Sequence, residues 1–206
     1  MKNSRITPEA HEQIDYTIDM GLRIIGGGLR GKKLYTIPGN LIRPTADRVR
    51  ESIFNILSNL LKRAVVLDLF AGTGAFGIEA LSRGAESAVF IDNSKTALSV
   101  VERNIQACAV DNMSQIIRWN IVKNLNCIRL IDSRFDLVFM DPPYNNGLIK
   151  PTLINLHDSG SLGNEACIVV EHDYIEPIPE TCKQFELIDQ RKYGKKLISF
   201  MRYVVK

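Results

Sequence analysis

The sequence has few cysteines and no long apolar stretch. Its four cysteines, Cys108, Cys127, Cys167 and Cys182, lie far apart and show neither the CxxC spacing of a zinc site nor a dense disulfide framework. We therefore expect reduced, mostly buried thiols, as in a cytoplasmic protein. No run approaches the ~20 apolar residues that a membrane helix needs. The polar N-terminus lacks the apolar core of a signal peptide.

Histidine is also scarce, and repeats are missing. The three histidines, His11, His157 and His172, show no spacing typical of metal ligands, so we expect no metal site and a surface position for each. The sequence contains no internal repeat and no low-complexity tract. With 206 residues, 45% of them hydrophobic and 24% charged, the composition predicts one globular domain with a real core.

The net charge of +3 is unevenly distributed. Residues 20–50 carry a net +6 and residues 189–206 a net +5, whereas the first 19 residues and the long middle segment are acidic. Two basic ends of this kind are typical of a surface that binds a polyanion. A solvated basic surface without a partner explains the charge equally well, so the charge alone leaves both interpretations open.

Strand and helix patterns alternate from residue 64 onward. An α/β fold with a mostly parallel sheet, covered on both faces and closed by an antiparallel hairpin, is therefore predicted. Upstream, glycines divide residues 22–39 into a hairpin-like unit, and a helix with an apolar face follows Thr45, its candidate N-cap. The predicted strands are 64–70, 87–92, 114–119, 134–141 and 166–172, the helices are 74–84, 94–108 and 148–157, and the hairpin spans 185–205.

A glycine loop connects the first sheet strand to its helix. Gly72, Gly74 and Gly77 fit the GxGxxG pattern, which allows a sharp turn while a ligand lies against the backbone. Asp92 ends the next strand, twenty residues after Gly72, where an acid is placed to accept hydrogen bonds from ribose hydroxyls. This pattern predicts a nucleoside cofactor and leaves NAD and S-adenosylmethionine both open.

Asp68 favours the second of these cofactors. It lies four residues before Gly72, at the carboxyl end of the strand. A carboxylate there would repel a pyrophosphate and attract a cation such as the sulfonium and amino group of S-adenosylmethionine. Asp68 could also serve only to cap the loop.

The segment FDLVFMDPPY ends a buried strand with Asp141, Pro142, Pro143 and Tyr144. The Asp141 carboxylate and the Pro142 carbonyl match the two N–H bonds of a primary amine on a flat ring. The prolines stiffen this platform, and Tyr144 offers a face on which a base can stack. Such an arrangement directs the nitrogen lone pair at an electrophile, which suits methyl transfer to an exocyclic amine. No metal is required.

Four blocks resemble one family. DPPY resembles the [DN]PP[YF] motif of amino-methyltransferases, which modify adenine, cytosine or guanine. More closely, LRIIGGGLRGKKL, RPTADRVRESIFNIL, LDLFAGTGAFGIEALSRGA and FDLVFMDPPY occur in the order of the bacterial small-subunit ribosomal RNA methyltransferase D family. The likeness extends from Leu22 to Val205. It implies a Rossmann-like class I S-adenosylmethionine-dependent methyltransferase fold with a seven-stranded sheet, and methylation of N2 of one guanine in 16S ribosomal RNA.

The resemblance also assigns residues to roles. Asp141, Pro142, Pro143 and Tyr144 would be catalytic and hold the guanine. Asn120 departs from the family, because many relatives carry an acid there that binds the adenine amine. The implied cofactor-binding residues are Asp68, Phe70, Ala71, Gly72, Thr73, Gly74, Asp92, Asn93, Asn120 and Asp141.

The basic segment would then grip ribosomal RNA. The expected RNA-binding residues are Arg23, Arg30, Lys32, Lys33, Arg43 and Arg48, of which Arg43 and Arg48 could instead pair with Asp47 or Glu51. We expect a flexible extension over residues 1–19, a basic hairpin over 20–45 and the methyltransferase domain over 46–206. The expected protein is a cytoplasmic monomer that acts on the assembled or assembling small subunit.

Three alternatives remain open. An NAD-dependent oxidoreductase would use the same glycine loop but would leave DPPY without a role. A ribosome-assembly or RNA-binding module could have kept the fold and lost the chemistry. DNA, or another RNA methylated at adenine N6 or cytosine N4, is the rival substrate, because DPPY recognises an amine on a ring and does not identify the base.

Overall fold

The computed structural model describes residues 18–36, 44–179 and 183–204. The chain forms a small N-terminal hairpin and a larger α/β unit. The hairpin pairs β1 (Ile18–Arg23) with β2 (Lys33–Tyr35) in antiparallel orientation, and glycines occupy the connection between them. The predicted hairpin is thus confirmed, although its first strand begins two residues before the predicted boundary at residue 20. The rest of the predicted extension, residues 1–17, lies outside the described residues.

The larger unit is a seven-stranded sheet flanked by helices, as the alternating pattern predicts. Its elements follow one another as α1 (Pro44–Ile56), β3 (Val65–Leu69), α2 (Ala75–Ser82), β4 (Ser87–Asp92), α3 (Lys95–Cys108), β5 (Ser114–Arg118), β6 (Phe135–Met140), α4 (Ile149–Ser159), β7 (Leu162–Asp173), β8 (Phe185–Tyr193) and β9 (Lys196–Tyr203).

The order of the strands is β5-β4-β3-β6-β7-β9-β8. The first five are parallel, and β9 runs antiparallel to both β7 and β8. The chain builds outward from β3 to β5, then returns to place β6 on the other side of β3. Strand order therefore reverses between β3 and β6, where ligands bind in open α/β sheets.

Apolar side chains fill both faces of this sheet. One layer joins the hairpin, α1 and α2 to the sheet, and the other packs α4 against it. The central strands are buried on both faces, and their near-continuous apolar runs reflect this. Leu22, Ile24 and Leu34 of the hairpin belong to the first layer, so the hairpin shares the core of the larger unit.

Details of three predicted features differ. Helix α1 begins at Pro44, so Thr45 lies inside the helix and is not its N-cap; the fixed φ of proline suits a first turn. The sequence predicts that Ile56 and Leu60 belong to the apolar face of this helix, but both are about half exposed, at 42% and 51%. His172 is fully buried and not on the surface, because carbonyl oxygens of Asp173 and Glu176 and the Ser199 hydroxyl satisfy its ring nitrogens.

The cysteines agree with the prediction as far as the described residues extend. Cys108 and Cys167 are buried, Cys127 is partly buried, and all three are free thiols. Burial raises the pKa of each of these thiols, so the thiolate form, which is the reactive one, is disfavoured. Cys182 lies outside the described residues.

Candidate active site

The glycine loop turns sharply between β3 and α2. Phe70, Gly72 and Gly74 all have positive φ angles, of 58°, 56° and 75°. Glycine adopts this conformation without a steric cost, whereas Phe70 does so at some expense of backbone strain. The loop is fixed by a hydrogen bond of 2.7 Å from the Gly74 N–H to the Ala71 carbonyl and one of 3.1 Å from the Ala71 N–H to the Ile91 carbonyl.

The glycines have different physical roles. A Cβ atom at Gly77 would lie 2.3 Å from Cε1 of Phe90, so this residue allows α2 to pack closely on β4. At Gly72 the nearest atom to such a Cβ would be the Phe70 carbonyl oxygen, 3.8 Å away. The space over Gly72 is therefore open, which leaves the loop backbone accessible to a ligand.

Asp92 closes the loop from the neighbouring strand. Its Oδ2 accepts a hydrogen bond of 3.1 Å from the Gly72 N–H, and its Oδ1 accepts one of 2.9 Å from the Ser94 N–H at the start of α3. Asp92 remains partly exposed. Asp92, the residue predicted to bind the ribose, thus lies against the glycine loop and also holds that loop in place.

Asn93 and Asn120 lie near Asp92 in the fold, beyond the carboxyl ends of β4 and β5. Both are exposed. The Asn93 carbonyl accepts a hydrogen bond of 3.2 Å from Nε of Arg118. The Asn120 side-chain oxygen accepts one of 3.2 Å from the Lys123 N–H, so this oxygen already has a partner before any adenine binds.

Asp68 is buried beneath the glycine loop, at 3% exposure. Its Oδ2 accepts a hydrogen bond of 2.9 Å from the Gly77 N–H. Burial raises the pKa of the Asp68 carboxyl to about 8; the Gly77 hydrogen bond opposes this change and the nearby Asp92 carboxylate adds to it. Asp68 caps the loop, as the sequence allowed, and it is also a buried carboxyl group whose ionised form a cationic ligand would stabilise.

The DPPY segment begins where β6 ends, directly beside the glycine loop. In the parallel pairing of β3 with β6, Asp68 lies opposite Phe139 and Leu69 opposite Met140. Asp141 therefore follows at the level of Phe70, at the point where strand order reverses. The structure brings the predicted base-binding and cofactor-binding segments together.

The loop after DPPY is held by one carboxylate. Glu176 accepts hydrogen bonds from the backbone N–H groups of Asn145, at 2.7 Å, and Gly147, at 2.9 Å. Asn145 and Gly147 both have positive φ angles, of 59° and 65°. Pro142 is buried whereas Pro143 is exposed. The loop that directly follows Tyr144 is thus anchored to Glu176.

Tyr144 is oriented by Glu171 of β7. Its hydroxyl donates a hydrogen bond to Oε1 of Glu171, and the Lys196 ammonium group forms an ion pair with the same oxygen. The Lys196 Nζ also lies 5.3 Å from the centroid of the Tyr144 ring. Burial and the Asp141 and Glu171 carboxylates raise the pKa of Tyr144, so the hydroxyl keeps its proton and remains a donor.

Asp141 lies beside Glu171 in a small pocket. As a residue Asp141 is exposed, but protein atoms crowd its carboxyl group. This desolvation and the Glu171 carboxylate raise the pKa of Asp141 well above its ordinary value, while Lys196 opposes the change. The pocket is lined by Ile53, Phe76, Phe139, Met140, Asp141, Val169 and Glu171. It is an apolar recess with two carboxyl groups at its edge.

The cations of the predicted RNA-binding segment occupy different environments. Arg30, Lys32, Lys33 and Arg48 are exposed. Arg23 is exposed and pairs with Asp47 at 3.4 Å. Asp47 also pairs with the buried Arg50, at 3.1 Å, so the acid proposed as a partner for Arg48 is engaged elsewhere. Arg43 lies outside the described residues.

Buried polar contacts dock the hairpin on α2. Glu79 is fully buried and accepts hydrogen bonds from the N–H groups of Ile25, at 2.7 Å, and Gly26, at 2.8 Å. Arg83 donates to the same carboxylate at 2.7 Å, and the Arg50 guanidinium lies 3.9 Å away. Ser82 adds a hydrogen bond of 2.6 Å to the Gly26 carbonyl. These contacts fix the basic hairpin relative to the sheet.

A larger cavity, of about 330 Å³, lies apart from these residues. It is lined by Lys150, Leu153, Ile154, His157, Asp158, Gln184 and Phe185. Its lining includes no residue of the glycine loop or of DPPY. Within residues 18–36, 44–179 and 183–204, no group of three or more His, Cys, Asp or Glu side chains could hold a metal ion. No helix in the described part of the chain is long and apolar enough to cross a membrane.

Sequence patterns missed part of this arrangement. Glu171 lies near the end of the predicted strand ACIVVEH, on the side of the cleft, but its hydrogen bond to Tyr144 could not be predicted from that position. Lys196 belongs to the basic C-terminal segment, and only the pairing of β7 with β9 brings it to Glu171. The sequence signal that could have been used is the acid Glu79 within the largely apolar segment AFGIEALS, because an acid that becomes buried there needs partners.

Comparisons with known proteins identify the family of this chain. The family model described as "Conserved hypothetical protein 95" matches residues 22–202. The Escherichia coli protein "Ribosomal RNA small subunit methyltransferase D" is 35% identical over 177 residues, which cover 84% of this chain and 86% of that protein. Its Haemophilus influenzae namesake is 31% identical over 185 residues, covering 88% and 93%.

A solved structure confirms the fold. The Escherichia coli protein described as "Putative methyltransferase yhhF" superimposes with a TM-score of 0.78 at 31% identity, over 90% of this chain and 99% of that one. The expected Rossmann-like class I methyltransferase fold is therefore confirmed. This chain belongs to the conserved hypothetical protein 95 family and, within it, to the small-subunit ribosomal RNA methyltransferase D family.

Proposed function

We propose that this protein is an S-adenosylmethionine-dependent methyltransferase that methylates the exocyclic N2 amine of a guanine in 16S ribosomal RNA. The position of DPPY beside the glycine loop, at the reversal of strand order, is the observation that carries the proposal. The names of the relatives support a ribosomal RNA substrate of the small subunit. The choice of guanine N2 rests on the family resemblance.

The residues around the glycine loop fit S-adenosylmethionine. Asp68 is a buried carboxyl group whose raised pKa reflects the cost of an uncompensated charge, and a cationic ligand would lower that cost. The open space over Gly72 lets a ligand approach the backbone. We assign Phe70, Ala71, Gly72, Thr73 and Gly74 to the cofactor wall, and Asp92, Asn93 and Asn120 to the ribose and adenine. When bound, the cofactor supplies an electrophilic methyl group.

Asp141, the Pro142 carbonyl and Tyr144 would act on the base. The carboxylate and the carbonyl each accept a hydrogen bond from one N–H group of the amine. The Tyr144 ring stacks on the base, and such stacking contributes ~1–3 kcal/mol to binding. This geometry points the amine lone pair at the methyl group and makes orientation the main source of rate acceleration. In its ionised form, the Asp141 carboxylate is placed to receive the proton that N2 loses as the methyl group is added; burial and the neighbouring Glu171 raise the pKa of this group.

The basic hairpin would hold the RNA. Arg23, Arg30, Lys32, Lys33, Arg43 and Arg48, within or after the proposed RNA-binding segment 20–45, are assigned to phosphates beside the site, and residues 46–206 to the methyltransferase domain. Neutralising several phosphates makes binding strongly dependent on salt. We propose a cytoplasmic monomer that acts on the assembled or assembling small subunit.

Labelling of ribosomal particles tests this function. Small subunits from a strain that lacks the methyltransferase are incubated with labelled S-adenosylmethionine and the protein, with naked 16S RNA and duplex DNA in parallel. The product is digested to nucleosides and identified by mass spectrometry. Asp141→Ala is the inactive variant. Asp132→Ala is the matched control, because Asp132 is exposed and precedes β6, at the opposite end of the strand.

N2-methylguanosine that requires Asp141 but not Asp132 supports the proposal. Methyladenine or methylcytosine in the product would show that the enzyme modifies a base other than guanine. Label in duplex DNA would show that its substrate is DNA and not RNA. Full activity of the Asp141→Ala variant would refute the role of the carboxylate.

A further inference from the structure

Two carboxyl groups, those of Asp141 and Glu171, lie at the edge of the small recess beside DPPY, and the proposed methyl transfer uses only Asp141. Asp141 follows Met140 on β6, and Glu171 follows Val170 on β7; Met140 and Val170 are paired neighbours in the sheet. Asp141 and Glu171 therefore come side by side, directly after the end of β6 and two residues before the end of β7. Both line the recess whose remaining walls are largely apolar.

The contacts of Glu171 leave one of its oxygens available. Glu171 is 7% exposed, and both Tyr144 and Lys196 contact it through Oε1. Oε2 accepts no hydrogen bond from the described residues. Lys196 supplies the positive charge that a largely buried carboxylate requires. The pocket thus holds a second charged acceptor beside the one assigned to the amine.

We infer that Glu171 selects guanine by accepting a hydrogen bond from its N1–H. This inference rests on the proposed function and names the base from the site itself. Asp141 and the Pro142 carbonyl accept the two N2 protons, and Glu171 accepts the proton on the adjacent ring nitrogen. Three acceptors then face three consecutive N–H bonds.

The three candidate bases differ at this adjacent atom. In guanine the ring nitrogen beside the exocyclic amine, N1, carries a proton. In adenine the corresponding N1, and in cytosine N3, carries a lone pair instead. A carboxylate facing that lone pair would be repelled and left without a partner in a poorly solvated pocket. A site that hydrogen-bonds a substrate N–H therefore rejects an analogue that lacks it.

Glu171 could otherwise act only by orienting Tyr144. The two roles predict different behaviour. An orienting residue affects every base that stacks on Tyr144, whereas a base-selecting residue changes the ratio of rates between bases. The ratio is therefore the quantity to measure.

The analogue 2-aminopurine provides the test, because it keeps the 2-amino group but has no proton on N1. The modified guanine is first mapped in the labelling experiment. The same substrate is then prepared with 2-aminopurine at that position, and kcat/KM is measured for both substrates with the wild type, Glu171→Gln and Tyr144→Phe. Gln at 171 can donate to the N1 lone pair, whereas Phe at 144 removes only the hydroxyl contact to Glu171.

We expect the wild type to prefer guanine by roughly 10- to 100-fold, the range expected for one hydrogen bond to a charged group. The Glu171→Gln variant should lose most of this preference, and Tyr144→Phe should keep it while both rates fall. If both variants lose the preference for guanine to the same extent, Glu171 acts only through Tyr144.

Other outcomes separate this inference from the proposed function. Equal methylation of guanine and 2-aminopurine by the wild type would overturn the inference and leave the function intact. If the wild type does not label the guanine substrate, both the inference and the proposed function are contradicted. If Glu171→Gln does not fold, Glu171→Asp replaces it: it keeps the charge, so guanine preference should persist at a lower rate, and loss of that preference would contradict the inference.

Discussion

The side-chain amide of Asn104 forms two reciprocal hydrogen bonds with the backbone of Tyr35. Nδ2 donates to the Tyr35 carbonyl at 3.0 Å, and Oδ1 accepts from the Tyr35 N–H at 2.7 Å. The same Nδ2 donates to the Thr73 carbonyl at 2.9 Å. One fully buried side chain on α3 thus ties the basic hairpin to the glycine loop.

Replacing Asn104 should therefore disturb both segments. Asn104→Ala leaves three backbone groups without their partner, and an unsatisfied buried group costs about 1–3 kcal/mol. We expect a loss of at least about 2 kcal/mol in the free energy of unfolding, measured by urea denaturation, and weaker binding of S-adenosylmethionine. Gln106→Ala, an exposed position on the same helix, is the control. Equal stability of the two variants would contradict this account.

Glu79 should contribute more to stability than any exposed acid. Glu79→Ala removes the acceptor of two backbone N–H groups and leaves Arg83 without its buried counter-charge, while Arg50 keeps its pairing with Asp47. Breaking a buried ion pair in this way costs about 3–5 kcal/mol. Urea denaturation should show this loss, and limited proteolysis should show faster cleavage within residues 18–36. Glu86→Ala changes an exposed acid and should alter neither result.

Asp68 should make the free protein less stable as the pH rises. Its folded pKa of about 8 exceeds the ordinary value of 3.8, so between these values the folded state binds a proton that the unfolded state has lost. Stability therefore falls with a slope approaching about 1.4 kcal/mol per pH unit and levels off above the folded pKa. Comparison of unfolding free energies from pH 5 to 9 in the wild type and Asp68→Asn isolates this effect. If the unfolding free energies of the two proteins change with pH in parallel, Asp68 does not cause the pH dependence.

Gly77 should tolerate no side chain. A Cβ at this position meets the Phe90 ring at 2.3 Å and 2.7 Å, and overpacking of this kind costs about 1–3 kcal/mol. Gly77→Ala should lower the midpoint of urea denaturation by a corresponding amount. Gly28→Ala is the matched control, because its Cβ would have only the Ser82 carbonyl oxygen within reach, at 3.9 Å. A larger loss at Gly28 than at Gly77 would be inconsistent with this packing.

The exposed cations of the hairpin should determine the salt dependence of RNA binding. Changing Arg30, Lys32 and Lys33 to alanine should reduce the slope of log K against log salt by about 0.7–0.9 for each phosphate that is no longer neutralised. Titration of fluorescent RNA at several salt concentrations measures this slope. Lys62→Ala, exposed just before β3 at the opposite end of the sheet, should leave it unchanged. An unchanged slope in the triple variant would place the RNA elsewhere.

The fold could be predicted largely because its signals are local. The apolar run before Asp141 and the glycines after β3 each determine a strand end or a turn within about ten residues. Contacts between distant segments had no such signal. Glu171 and Lys196 are 25 positions apart and meet only because β9 pairs with β7, and Asn104 reaches Tyr35 across 69 positions. Residue type alone does not indicate which of many polar side chains will be buried together.

The position of β9 in the sheet has a consequence for synthesis. β9 lies between β7 and β8 and carries Lys196 at its first position. The ribosome adds it after every other strand of this sheet, yet it takes an interior place. The ammonium partner of Glu171 is therefore missing while those strands emerge, and a nascent chain cannot complete the contacts of Glu171 beside DPPY until β9 has left the exit tunnel. A chain released before that point would hold the cofactor loop and DPPY but not the finished pocket.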